Sequence, residues 1–109
     1  SLARNYARKT LSFQPSFGRA YLLISNLYAG SANDCGETQF NKRAVYWLAA
    51  QMAYRAGEVD SSIKKLALKT AKSYEGRAPS KTEIFTEGNQ GANIQFDCWI
   101  KSSVKVPDL

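Results

Sequence analysis

FGRAYLLISNLYA, residues 17–29, and KRAVYWLAAQMAYRAGEVDS, residues 42–61, are the stretches whose reading decides the fold. The first places Tyr21, Ile24, Ser25 and Tyr28 along one side of a helix, at the spacing where side chains three and four apart are neighbours. The second is Ala-rich, apolar over a wide face, and holds no Gly or Pro before Gly57. Two amphipathic helices of this kind bury their faces only against neighbouring pairs, so 17–61 reads as part of a helical repeat array. Between them lies GSANDCGETQFN, residues 30–41, whose Gly, Asn, Asp, Ser and Thr mark a loop. That loop is longer than the usual helix–helix connection of about 2–8 residues.

Upstream, Leu2 to Gln14 reads as a helix with Leu2, Ala3, Tyr6, Ala7, Thr10 and Leu11 on one side and Arg4, Arg8 and Lys9 on the other. Gln14-Pro15 ends it, because the residue before Pro is pushed out of the α region, and Ser16 suits the N-cap of the next helix. The second helix runs from about Phe17 to Ala29 and stops at Gly30. A third begins between Gln39 and Lys42 and continues to about Ala56, with Gly57 as its stop. Asp60 or Ser61 caps a fourth, through about Tyr74. There Ile63, Leu66, Ala67, Thr70 and Tyr74 form a stripe opposite Lys64, Lys65, Lys69 and Lys72.

Past Glu75-Gly76 the pattern changes, which divides the chain into a helical part, 1–76, and a tail, 77–109. Ser80 followed by Glu83 has the form of a capping box, predicting a short helix carrying Ile84 and Phe85. Gly88 to Gly91 is turn material. Ile94, Phe96, Cys98 and Ile100 alternate with Gln95, Asp97 and Trp99, a period of two that predicts a strand. Ser102-Ser103 is then expected to turn the chain into a second short strand, Val104 to Val106. The fold class expected is mainly α, antiparallel helix pairs with a small C-terminal β-hairpin cap.

At 109 residues the chain is long enough for one modest core, and no apolar run is long enough to cross a membrane as a helix. It begins at Ser1 without Met or leader, which reads as a fragment or a processed product. The net charge of +6, spread along the chain, favours acidic surfaces, nucleic acid or anionic lipid as contacts. Equally, it suits a fragment whose acidic complement lies elsewhere in the parent protein. Histidine is absent, which removes the commonest general base and argues against an enzyme.

The stretch resembles a tetratricopeptide repeat (TPR), whose signature over about 34 residues is W-x2-L-G-x2-Y, then A-x3-F, then a closing Pro. Tyr21 stands at the Trp position, Ile24 at the Leu, Ser25 at the Gly and Tyr28 at the Tyr. Ala49 and Ala53 fall at the Ala and Phe positions, with Ala56 at a further small one. Upstream, Ala3, Ala7 and Thr10 before Pro15 resemble the second helix of a preceding repeat. Three departures stand out: Ala53 replaces the large Phe, so Trp47, Leu48 or Met52 is expected to fill that volume; Ser61 replaces the closing Pro; and the loop is long. With DCG, KRAVYW, PSK and CWI, the whole is similar to the C-terminal part of repeat proteins found in Bacteroidetes bacteria.

The resemblance implies a non-catalytic scaffold, an α-α superhelix whose concave side receives a protein or peptide partner, continuing from upstream repeats of the same chain. Carried over, Arg19, Leu22 and Asn26 would face the groove, the competing reading being that they are merely solvated or covered by the loop. Tyr21, Ile24, Ser25, Tyr28, Ala49 and Ala53 are core positions of the repeat. The second function class is an anion-binding module using Arg4, Arg8, Lys9, Arg19 and the Lys64–Lys72 face. Nucleic acid is the weaker of its targets, because the aromatics fall on the core side of the helices.

Cys35 in the loop and Cys98 in the tail each lie at the edge of the stack. If the tail folds over the loop, the pair forms a disulfide worth about 4 kcal/mol by loop closure, and an exported, periplasmic or outer-membrane-associated location follows. The alternative is two unrelated thiols, Cys98 buried and Cys35 free, in a cytoplasmic protein. Asn33, Asp34 and Glu37 supply oxygens near Cys35 but lack the spacing of a calcium loop, and two cysteines without histidine make a poor zinc site. No metal, cofactor or catalytic residue is therefore expected. Glu83 and Glu87, one helical turn apart, read as a solvated face.

Overall fold

A computed structural model describes residues 18–108. The helix expected over Leu2 to Gln14, with Arg4, Arg8, Lys9 and the Pro15-Ser16 boundary, lies outside the described residues. Within them the chain is a mainly helical bundle of four α-helices with a small antiparallel β-hairpin: α1 Gly18–Gly30, α2 Gln39–Val59, α3 Lys64–Glu75, α4 Lys81–Glu87, β1 Asn93–Phe96 and β2 Ser102–Lys105.

Helices α1 and α2 pack antiparallel, as the residues that meet across them show. A Cβ on Gly18 would lie 2.7 Å from the Ala56 carbonyl oxygen and from Asp60 Cβ. The Arg55 guanidinium stands 6.0 Å from the Tyr21 ring centroid, and Ser25 Oγ donates to the Ala49 carbonyl at 2.6 Å. Ser25 is fully buried, so that bond satisfies a hydroxyl that would otherwise be costly inside. Ile24 and Tyr28 are buried beside it, while Tyr21 sits half-exposed at the rim of the core.

Helices α2 and α3 meet along a seam of small side chains. Ala50 and Ala53 lie against Ala71, and Ala56 lies against Ile63 and Ala67. This corrects the expectation that Gly57 stops the third helix. Helix α2 runs on to Val59, and a Cβ on Gly57 would lie only 3.2 Å from Ala67 Cβ, so the glycine serves close approach rather than termination. Asp60 ends the helix instead, its carboxylate accepting from the Ser62 backbone N–H to open a 3-10 turn, Ser61–Ile63, that leads into α3. The volume around Ala53 is likewise not filled by Trp47, Leu48 or Met52, which belong to the cluster on the other side. Leu22 and Tyr74 pack there.

The connection between α1 and α2 is eight residues, 31–38, partly folded into a 3-10 turn, Ala32–Asp34. Thr38 caps α2, its hydroxyl accepting from the Asn41 N–H. In the tail, Ser80 and Glu83 form the capping box of α4, which ends at Gly88 in the left-handed conformation. The strand expected over Ile94 to Ile100 is shorter: β1 ends at Phe96 and the chain turns at 97–101, with Lys101 at φ 44°. Ser102 and Ser103 therefore belong to β2 and not to the turn. They pair with Phe96 and Gln95, and Val104 pairs with Ile94.

The tail is part of the main core. Ile24, Tyr28, Val45 and Leu48 from the helices share one apolar cluster with Ile84, Phe96, Ile100, Val104 and Val106. Phe96, Ile100 and Val106 are fully buried, and burial of such a side chain is worth about 1.5–3 kcal/mol. Cys35 and Cys98 form a disulfide, Cα–Cα 5.3 Å, that joins the α1–α2 connection to the hairpin turn.

Candidate functional site

Two concavities bear on function, on different parts of the molecule. The first is a groove of about 340 Å³ where α1 and α3 come together. Asn26 lines it from α1; Leu66, Lys69, Thr70, Ser73 and Tyr74 line it from α3, and Arg77 from just beyond. Helical spacing explains the set: 66, 69–70, 73–74 and 77 recur every three to four residues, so they fall on one face.

This groove face differs from the stripe expected in the sequence. Leu66, expected to be buried with Ile63 and Ala67, is 53% exposed. The face of α3 that meets α2 is instead Ala67 and Ala71, both fully buried, and Leu66 is turned away from that seam. Tyr74 is half-buried and held on two sides. Its hydroxyl donates to Asn26 Oδ1 at 2.5 Å, and its ring stacks on Tyr46 at 6.0 Å between centroids. Burial pushes the Tyr74 hydroxyl pKa up, so it stays a neutral donor through the physiological range.

The three residues expected to face a groove separate. Asn26 lines it. Leu22 lies beneath it, packed on the alanine seams of α2 and α3. Arg19 is exposed and lies near Asp60, whose carboxyl is held below its ordinary value mainly by the Ser62 hydroxyl, with Arg19 adding to the effect. Lys64, Lys65 and Lys72 are exposed and do not line the groove; Lys69 does. None of the loop residues 31–38 lines it, so the loop leaves the groove open. Thr70, Ser73 and Arg77 carry no motif. Leu66 falls in the apolar stripe of the sequence, so its outward turn, which marks this surface, is visible only in the structure.

The second concavity, about 350 Å³, surrounds the disulfide. Asp34, Glu37 and Asp97 supply carboxylates around Cys35 and Cys98, with Asn41 and Gln95 beside them. Among the described residues no three His, Cys, Asp or Glu side chains converge as a metal-binding set. Asp34 and Glu37, together with Asn33, are exposed loop residues around the crosslink. Glu83 is engaged elsewhere: Arg43 Nη1 donates to it at 2.5 Å, while Arg43 also donates to the Arg77 and Ala78 carbonyls at 3.2 Å each. That pairing, with the Ser80 cap, holds the Glu83 carboxyl below its ordinary pKa. Glu87 is exposed on the same short helix.

Among the described residues no helix is long and apolar enough to cross a membrane. No family model matches this chain, and neither a curated protein nor a solved structure matches it.

Proposed function

We propose that this chain is the terminal part of a TPR-type array whose last groove, between α1 and α3, holds a segment of a protein partner. The observation that carries this reading is the groove itself: an exposed leucine beside hydroxyl and amide donors, with Tyr74 fixed between Asn26 and Tyr46. A partly apolar concavity with a few fixed polar groups is the usual form of a recognition site. The helix arrangement supports the repeat reading as well. Helix α2 packs antiparallel on α1 and then on α3, the small residues Ser25, Ala49, Ala53 and Ala56 stand at the contacts, and α1 and α3 present one shared face. The hairpin covers one end of the helical core with Phe96, Ile100, Val104 and Val106, in the way a terminal repeat needs a closing element.

A disulfide-bonded chain suits an oxidising compartment, which supports an exported protein. The test of the groove reading is a displayed library of random peptides selected on the full chain. Binding lost on Ser73→Trp, which plugs the groove, and kept on Lys105→Ala, on the hairpin, is the expected result. Selected peptides that bind both variants equally would remove the groove from consideration.

A further inference from the structure

The groove's charges say what kind of segment it takes, if the reading of the groove as a peptide site holds. Its lining carries two cations, Lys69 and Arg77, and no carboxylate. The ion pairs among the described residues are Arg43–Glu83 and Arg55–Glu58, so none of these residues neutralises either groove cation by an ion pair. Two cations on the wall of one concavity give it a positive field that attracts anionic groups and repels cationic ones. At one end Leu66, 53% exposed, offers an apolar surface. Thr70 and Ser73 stand between, with hydroxyls able to donate to carbonyls.

The spacing converts this into a pattern. Arg77 lies two residues past the end of α3, where the Gly76 N–H still donates to the Lys72 carbonyl and the Arg77 N–H to the Tyr74 carbonyl, so eight residues at about 1.5 Å each put it roughly 12 Å along from Lys69. An extended peptide advances about 3.3 Å per residue, so two of its side chains on the same face, four residues apart, span that distance. Leu66 lies three residues before Lys69, roughly 4.5 Å along the helix, and the nearest same-face position of an extended peptide is two residues on, roughly 6.6 Å, within a leucine side chain's reach of it. We infer that the groove takes an extended acidic peptide segment, with two carboxylates four residues apart and an aliphatic side chain two residues outside the first. A phosphate polymer satisfies the cations but offers nothing to Leu66, which is why a peptide is the occupant favoured.

The experiment is fluorescence anisotropy on the full 109-residue chain. The probe is a labelled eight-residue peptide with leucine second, glutamate fourth and eighth, and serine or glycine elsewhere; its reversed sequence is the second probe, since either chain direction fits. One of the two binds, and exchange of both glutamates for glutamine weakens it at least tenfold, as does the double variant Lys69→Glu with Arg77→Glu. Replacing the peptide's leucine by alanine weakens it several-fold. The hairpin double variant Lys101→Glu with Lys105→Glu carries the same change in net charge and leaves binding within about twofold at physiological salt, where distant exposed charges are screened.

Equal binding of the glutamine and glutamate peptides overturns the inference. So does equal weakening by the hairpin and groove variants, which makes net charge the cause, or tighter groove binding by a single-stranded oligonucleotide. If the glutamine peptide binds and is lost on Ser73→Trp, the acidic pattern falls while the groove reading stands. If neither probe binds and library peptides ignore Ser73→Trp, both fall. Circular dichroism of each variant separates lost binding from lost fold.

Discussion

The indole Nε1–H of Trp99 donates to Ser31 Oγ at 2.8 Å, across 68 residues of sequence. The same hydroxyl donates in turn to the Leu27 carbonyl at 2.9 Å, so the hairpin turn is tied to the last turn of α1. The Tyr28 ring lies 5.7 Å from the Trp99 ring. Trp99→Phe keeps an aromatic ring and removes the donor, and Ser31→Ala removes its acceptor. Trp99→Phe is expected to cost about 1 kcal/mol in urea unfolding and Ser31→Ala more, since it also deletes the bond to Leu27; the double variant costs little more than Ser31→Ala alone, because the Trp99 bond is shared.

The disulfide acts on the same junction. With a separation of 63 residues, its loop-closure contribution is about 4 kcal/mol. The Cys35→Ser, Cys98→Ser double variant is expected to unfold at markedly lower denaturant, with a loss of up to that size. Thiol counting gives the companion measurement: no free thiol in native, unreduced protein, and two after reduction in denaturant.

Close approach at the start of α1 makes a third point of sensitivity. In Gly18→Ala the new methyl meets the Ala56 carbonyl oxygen, Asp60 Cβ and Ile63 Cδ1, each at 2.7 Å. Backbone is among these neighbours, so they yield poorly, and overpacking of this kind costs about 1–3 kcal/mol. The helix-propensity gain of alanine over glycine, about 1 kcal/mol, offsets only part of it. Thermal unfolding of the variant checks the sign.

Besides Ile84 in the core, Arg43 fastens α4 and its approach, reaching Glu83 and the Arg77 and Ala78 carbonyls at once. Lysine has no planar fork for three such acceptors, so Arg43→Lys is expected to speed amide exchange in α4 about fivefold or more, read by mass spectrometry. The pH dependence follows from Glu83. Its folded pKa lies below the unfolded value, so its stabilising contribution is complete above the ordinary carboxylate range, about 4.3. It is lost as pH falls from there through the lower folded value. Protection of α4 amides, taken relative to the intrinsic exchange rate at each pH, should therefore fall on acidification below about pH 4 in the parent chain and change less in Glu83→Gln.

Local signals were read well where the chemistry is local. Ser80 and Glu83 satisfy each other within one turn, so the capping box was visible in four residues. Gly30 ends α1 as read, and Asp60, read as a cap for the next helix, opens through its own carboxylate the 3-10 turn that leads into α3. Gly57 misled because its reason is tertiary: the Lys64 and Ala67 side of α3 presses against it, and nothing within α2 announces that. The alternation from Ile94 to Ile100 is real as burial, since Ile100 is fully buried, yet pairing stops at Phe96. Cys98 is held to Cys35 there, so the backbone leaves the ladder while its apolar side chains remain in the core. The groove was the least legible, because Leu66 turns outward when alanines suffice to join α2 and α3.

The crosslink also divides the chain topologically. Helices α2, α3 and α4 and strand β1 all lie within the covalent ring closed by Cys35 and Cys98, whereas α1 and β2 lie outside it. A protease that cuts any single peptide bond between 36 and 97 opens the ring but releases no fragment. Both halves stay tethered, and α3 keeps its place beside α2 through the alanine seam. A nick between α1 and Cys35, at 31–34, is different, since no covalent link then joins α1 to the ring. Damage within the ring leaves every piece attached, whereas one cut at 31–34 leaves α1, and Asn26 with it, held to the groove by packing alone.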